Sequence, residues 1–103
     1  MTNDKRIVMG ASIFKALAHP TRLFVVEKLG ERKHMCVCEI TEMIGADMST
    51  ISRHLAILRN AGIVSSSKVG NEVHYRLAMP CVLEFLACVE NVIEMRKREL
   101  VNG

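Results

Sequence analysis

The hydrophobic period of this chain changes abruptly at Gly62, and few small folds accommodate the change. Before it, Ile51, Leu55 and Leu58 recur at three- and four-residue steps, the stripe of a helix that faces a core. After it, Ile63 and Val64 open a strand that continues through Ser65, Ser66 and Ser67. Val69-Gly70-Asn71-Glu72 then makes a turn, and Val73, Tyr75 and Leu77 alternate with His74 and Arg76 as in a half-buried strand. A β-hairpin thus follows a helix directly. Asp47 supplies an N-cap for that helix and Gly62 a residue free to end it. Upstream, Val37–Ile44 suits a short helix with Ile40 and Ile44 facing inward. Gly45-Ala46-Asp47 makes a tight turn between the two helices, which together describe a helix-turn-helix.

The remaining segments complete a mainly α architecture with one hairpin, in the order α-α-α-α-β-β-α. Residues 1–5 read as a loose arm. Ile7, Val8, Ile13, Phe14 and Leu17 suit a first helix from about Arg6, broken at His19-Pro20 because the residue before proline is driven out of the helical region. Leu23, Phe24, Val26 and Leu29 mark a second helix ending near Gly30, and Glu31–Met35 reads as a charged connection. The last helix runs from about Pro80 to Leu100. Its apolar residues, among them Leu83, Phe85, Leu86, Val89, Val92 and Ile93, cover too wide an arc for one small core. A second copy of the chain is the simplest partner, so Leu83, Leu86, Val89 and Ile93 are assigned to a homodimer interface.

At 103 residues the chain reads as one domain spanning 1–103, and a domain of this size buries only about two thirds of its unfolded surface. The formal charge of +3 is mild, but basic residues gather at both ends and around the fourth helix and hairpin. On the exposed side of the fourth helix stand Ser49, Ser52 and Arg53. Arg reads guanine in a major groove, and small hydroxyls let the backbone approach. Lys68 near the hairpin tip and Arg76 on its second strand can neutralise phosphates. The MTNDKR start lacks a signal peptide's apolar region, and no apolar run is long enough to cross a bilayer. The expectation is a cytoplasmic protein with no membrane partner and reduced thiols.

IFKALAHPTRLFVVEKL, CVCEI, STISRHLAILRNAGIV and EVHYRLA, in that order, closely resemble the ArsR/SmtB family of metal- and metalloid-responsive repressors. The resemblance covers about residues 10–90. It implies a winged helix-turn-helix homodimer that binds double-stranded operator DNA and leaves it when an effector binds. On the recognition helix it points to Met48, Ser49, Thr50, Ser52, Arg53 and His54 as DNA-facing or helix-organising positions. Many relatives carry arginines on the first wing strand. Here Ser65, Ser66 and Ser67 stand there, and Glu72 puts an acid near phosphate, so the wing's electrostatic grip is expected to be weak.

Cys36-Val37-Cys38 opens the helix that supports the recognition helix. Two residues apart on a regular helix, these side chains point about 200° apart, so they converge only where the first turn is irregular. Thiolates select soft ions, and a helix N-terminus favours the thiolate form. The pair resembles the family's arsenite-responsive motif, which implies As(III) or Sb(III) as inducer, with Cd(II) or Pb(II) as alternatives and no organic cofactor. The motif's third Cys is replaced here by Thr41. Cys81, or less readily His34, is the candidate third ligand, while Cys88 suits core or interface packing. The zinc-type positions on the last helix read Met79-Pro80-Cys81 and Val92-Ile93-Glu94-Met95, without the His and Asp ligands of that branch. His19 suits capping or packing, His74 is a surface residue of the hairpin, and ordinary packing accounts for most of the methionines, Met35 among them.

Two other functions use the same fold. In one, Cys36 or Cys38 pairs with Cys81 or Cys88 in a sensor of oxidants or persulfides. In the other, the chain is a dimeric DNA-binding protein with no inducer. An enzyme is not expected, because the sequence has no catalytic Ser-His-acid arrangement, phosphate loop, His-Glu-x-x-His or C-x-x-C.

Overall fold

The computed structural model describes residues 4–102. Its elements run α1 (Lys5–Leu17), α2 (Pro20–Arg32), β1 (His34–Cys36), α3 (Val37–Ile44), α4 (Met48–Asn60), β2 (Val64–Val69), β3 (Glu72–Leu77) and α5 (Val82–Asn102). The expected order of helices and hairpin is present, with one added element, the strand β1. β3 lies at the centre of a three-stranded antiparallel sheet ordered β1-β3-β2. Of the N-terminal arm expected over residues 1–5, residues 1–3 lie outside the described residues. Asp4 caps α1 by accepting from the Arg6 N–H at 2.9 Å, and Lys5 is already helical.

α4 is the centre of the core. Ile51, Leu55 and Leu58 have no exposed surface, and they are buried with Val25, Val26 and Leu29 of α2, Ile40 of α3, and Met35, Ile63, Val64 and Tyr75 from the sheet and its approach. Burying each such aliphatic side chain contributes roughly 1.5–3 kcal/mol, so this face fixes where α4 sits and hence which face it presents outward.

α2 does not end at Gly30. It continues to Arg32 and stops at Lys33, which takes a positive φ of 70°. Gly30 serves packing instead. A Cβ there would lie 2.7 Å from Leu83 Cδ2, so the bare backbone is what lets α5 approach α2. Leu83 and Leu86 are half-buried and pack against the chain's own core. Val89 and Ile93 remain exposed, at 40% and 46%. With Phe85, Val92, Ile7, Val8 and Phe14 they form an apolar surface along α5 and α1, and Phe14 meets Phe85 edge-on at 5.3 Å. Cys88, expected in packing, is exposed in this chain. No helix among the described residues is long and apolar enough to cross a membrane.

Leu55→Ala removes a side chain with no exposed surface from the α4 stripe. It is expected to destabilise the protein by roughly 2–5 kcal/mol in chemical denaturation. A loss below about 1 kcal/mol would contradict the central place given to this face.

Candidate metal centre and nucleic-acid interface

The first turn of α4 is held by Asp47. Its carboxylate accepts from the Thr50 N–H at 2.9 Å, from the Thr50 hydroxyl at 3.1 Å and from the Ser49 hydroxyl. These hydrogen bonds, led by that of Ser49, lower the Asp47 pKa to about 2, so the cap stays charged throughout the neutral range. Ser49 and Thr50 are therefore engaged in organising the helix start. Met48, Ser52 and Arg53 are exposed beside them. Within the chain His54 turns inward. Its Nδ1 lies 3.0 Å from Arg22 Nη1 and its ring 4.5 Å from that of His19. Arg22 also donates from Nε to the carbonyl of Ala16, so one guanidinium joins the end of α1, α2 and α4. Sequence periodicity gave no sign of this role for Arg22.

On the sheet, β1 pairs with β3 as His34↔Arg76, Met35↔Tyr75 and Cys36↔His74. Lys68 is exposed near the hairpin tip, and Arg76 Nε donates to Ser65 Oγ across the strands at 3.3 Å.

Cys36 is the last residue of β1 and also the N-cap of α3, with extended backbone angles of φ −77° and ψ 159°. This resolves the geometric difficulty of a C-x-C pair. Because Cys36 is not yet helical, its side chain folds over the first turn of α3. Its sulfur accepts from the Glu39 N–H at 3.3 Å, while Glu39 Oε1 accepts from the Cys36 N–H at 3.1 Å. The result is a capping box in which sulfur replaces the usual oxygen. Cys36 and Cys38 are joined by a disulfide, with their Cα atoms 5.3 Å apart. The two sulfurs are linked to each other here, while Cys81 and Cys88 are free.

The group that faces the pair was not foreseen. Glu72 Oε2 lies 3.6 Å from Cys38 Sγ, and its other oxygen lies 3.2 Å from His74 Nε2. Ligand atoms of Cys36, Cys38 and Glu72 all fall within 4.8 Å of one another. The donor set of two sulfurs and a carboxylate fits a thiophilic ion once the pair is reduced. Cys81 and His34 are not in this group. Cys81 is a free, exposed cysteine ahead of α5, and His34 Nδ1 lies 3.4 Å from His74 Nδ1. Cys36, Cys38 and Glu72 line a cleft of about 360 Å³ together with Met48 and Ser52 from the exposed face of α4. The signal for Glu72 lay in the β1–β3 register, which a three-residue strand is too short to reveal by alternation.

A helix-turn-helix followed by a β-hairpin wing defines a winged-helix regulator. A profile described as "Bacterial regulatory protein, arsR family" matches residues 19–66. An uncharacterized HTH-type transcriptional regulator of Methanocaldococcus jannaschii is 40% identical over 80% of this chain and 92% of its own length. The crystal structure of Mycobacterium tuberculosis Rv0081 superposes with a TM-score of 0.83 at 32% identity, covering 96% of this chain and 99% of that one. The arsenical resistance operon repressor of Escherichia coli is 44% identical over 64% of this chain and 56% of its own length. The chain belongs to the ArsR family of winged helix-turn-helix transcriptional regulators, a non-catalytic class of DNA-binding proteins.

Burial, reinforced by the nearby positive charges of His19, Arg22 and Arg53, lowers the His54 pKa from 6.5. A histidine whose folded pKa is depressed contributes stability above its unfolded pKa and loses it as pH falls through the folded value. Wild-type protein is expected to lose Tm as pH falls below about 6.5, and His54→Gln to flatten that slope. Identical slopes would remove His54 from the account.

Proposed function

We propose that this protein is a homodimeric transcriptional repressor that leaves its operator when As(III) or Sb(III) binds the reduced Cys36–Cys38 pair. One observation carries the reading: the two sulfurs share a cleft with Met48 and Ser52 of the recognition helix. A change at the sulfurs need cross only the width of that cleft to reach DNA-reading atoms. The resemblance of CVC to the arsenite-responsive motif and the 44% identity to an arsenical resistance repressor support the choice of ion. Cd(II) and Pb(II) are the competing ions of the same soft class.

In the DNA-bound form Arg53 reads base edges, assisted by Ser52 and by the Ser49–Thr50 turn that Asp47 fixes. Met48 supplies apolar contact, His54 steadies the helix from behind, and Lys68 and Arg76 of the wing hold phosphates. The exposed apolar faces of α5 and α1, including Val89 and Ile93, are covered by a second copy, which doubles the reading head for a palindromic site. Reduced Cys36 and Cys38 would hold the ion at the start of α3, where Cys36 Sγ caps the helix. Because Cys36 Sγ also accepts from the Glu39 N–H, a change of its position on ligation would shift the start of α3, and α4 with it.

The disulfide favours a second reading through the same residues. Oxidation of the dithiol removes two electrons and two protons, and an oxidant or persulfide would replace the ion as signal.

Operator release followed by fluorescence anisotropy separates these readings. As(III) and Sb(III) are expected to release wild-type protein and to leave Cys36→Ser and Cys38→Ser bound. Release only by oxidants supports the redox reading, and insensitivity to all of them supports a DNA-binding protein without inducer. On DNA alone, Lys68→Ala is expected to weaken operator and random sequence alike and to reduce the salt slope by about 1. Arg53→Ala is expected to cost operator preference by about 1–3 kcal/mol, and equal losses on both DNAs would refute its reading role.

A further inference from the structure

We propose that Glu72, on the wing, is the third ligand of the cysteine centre, making it a mixed two-sulfur, one-oxygen site that takes a soft divalent cation of the Cd(II) type. The inference rests on the reading of Cys36 and Cys38 as a metal-binding pair, and adds to it a ligand from another element. Two observations carry it. The Glu72 carboxylate already faces the pair, with Oε2 3.6 Å from Cys38 Sγ and ligand atoms of all three residues within 4.8 Å. Its other oxygen, Oε1, is held 3.2 Å from His74 Nε2, and His74 in turn lies against His34. A carboxylate steadied on one oxygen and presented on the other is the arrangement by which an outer residue orients a metal ligand.

The chemistry of the donors admits a soft divalent ion beside As(III) or Sb(III). Two thiolates bring softness, and a carboxylate brings a hard oxygen and a further negative charge. A divalent ion such as Cd(II) accepts both and welcomes added donors, whereas As(III) gains most of its binding from sulfur. The place that Thr41 leaves without a third sulfur is thus compensated from across the cleft. Thr41 itself is engaged, its hydroxyl donating to the Val37 carbonyl at 2.8 Å.

Loading requires the dithiol. A cellular thiol reductant delivers two electrons and two protons to the Cys36–Cys38 disulfide and is itself oxidised to a disulfide; the two thiol protons then leave as the cation binds. Ligation by Glu72 ties the wing, through the first residue of β3, to the start of α3. The wing then moves with the sensor as well as α4.

Cd(II) affinity of the reduced protein tests the assignment, read from thiolate-to-metal charge-transfer absorbance in competition with a chelator. Glu72 is exposed, so Glu72→Gln is expected to keep the wild-type fold by circular dichroism. It is expected to lower Cd(II) affinity on the order of tenfold or more, comparable to losing a strong supporting contact at other metal sites. Unchanged Cd(II) affinity in Glu72→Gln overturns the proposal, as does wild-type protein that binds As(III) but not Cd(II). Either result leaves the cysteine sensor standing. Cd(II) binding that survives the double change Cys36→Ser/Cys38→Ser overturns the cysteine reading itself.

Discussion

The double duty of Cys36 is the constraint on which the rest of the arrangement depends. As the last residue of β1 it is pinned opposite His74 on the central strand of the sheet. As N-cap of α3 its sulfur and backbone N–H close a reciprocal pair of hydrogen bonds with Glu39. One residue therefore sets both where the wing is anchored and where the supporting helix begins. Because α3 turns into α4 through Gly45, whose φ of 79° suits the left-handed conformation, a displacement at Cys36 has little slack before it reaches the recognition helix.

Charge and capping make the reading face stiff where it is needed. Asp47 gathers Ser49 and Thr50 into one hydrogen-bonded turn, and Arg22 ties His54 to the junction of α1 and α2. The residues left outward, Met48, Ser52 and Arg53, thus project from a helix fixed at its first turn by capping and along its inner side by Ile51, Leu55 and Leu58. The wing by contrast is held chiefly by strand pairing, and its tip at Gly70 and Asn71 is exposed. Such a division matches the roles proposed for the helix and the wing.

Period and punctuation made most of the fold legible in the sequence. The stripe Ile51–Leu55–Leu58, the Asp47 cap and the alternation Val73–Tyr75–Leu77 each express local physics, and α4 and the hairpin lie where they indicated. What escaped was long-range. Gly30 resembled a helix end because its packing against Leu83, 53 residues later in the chain, leaves no local trace. β1 is three residues long and is defined only by its partner strand. Glu72 looked like an acid misplaced near phosphate, because its neighbour Cys38 is brought to it by that same pairing. In the sulfur site the pair itself was legible as a motif, but its convergence was not, since it depends on Cys36 standing outside the helix.

Amide hydrogen exchange across the protein, with and without As(III), tests the central mechanical claim most directly. The account predicts that loading changes protection at the start of α3, across Met48–Arg53 and at the wing turn, and that these changes vanish in protein lacking Cys36 and Cys38. Perturbation confined to α5 and the apolar α1–α5 surface, with α3 and α4 unaltered, would contradict it.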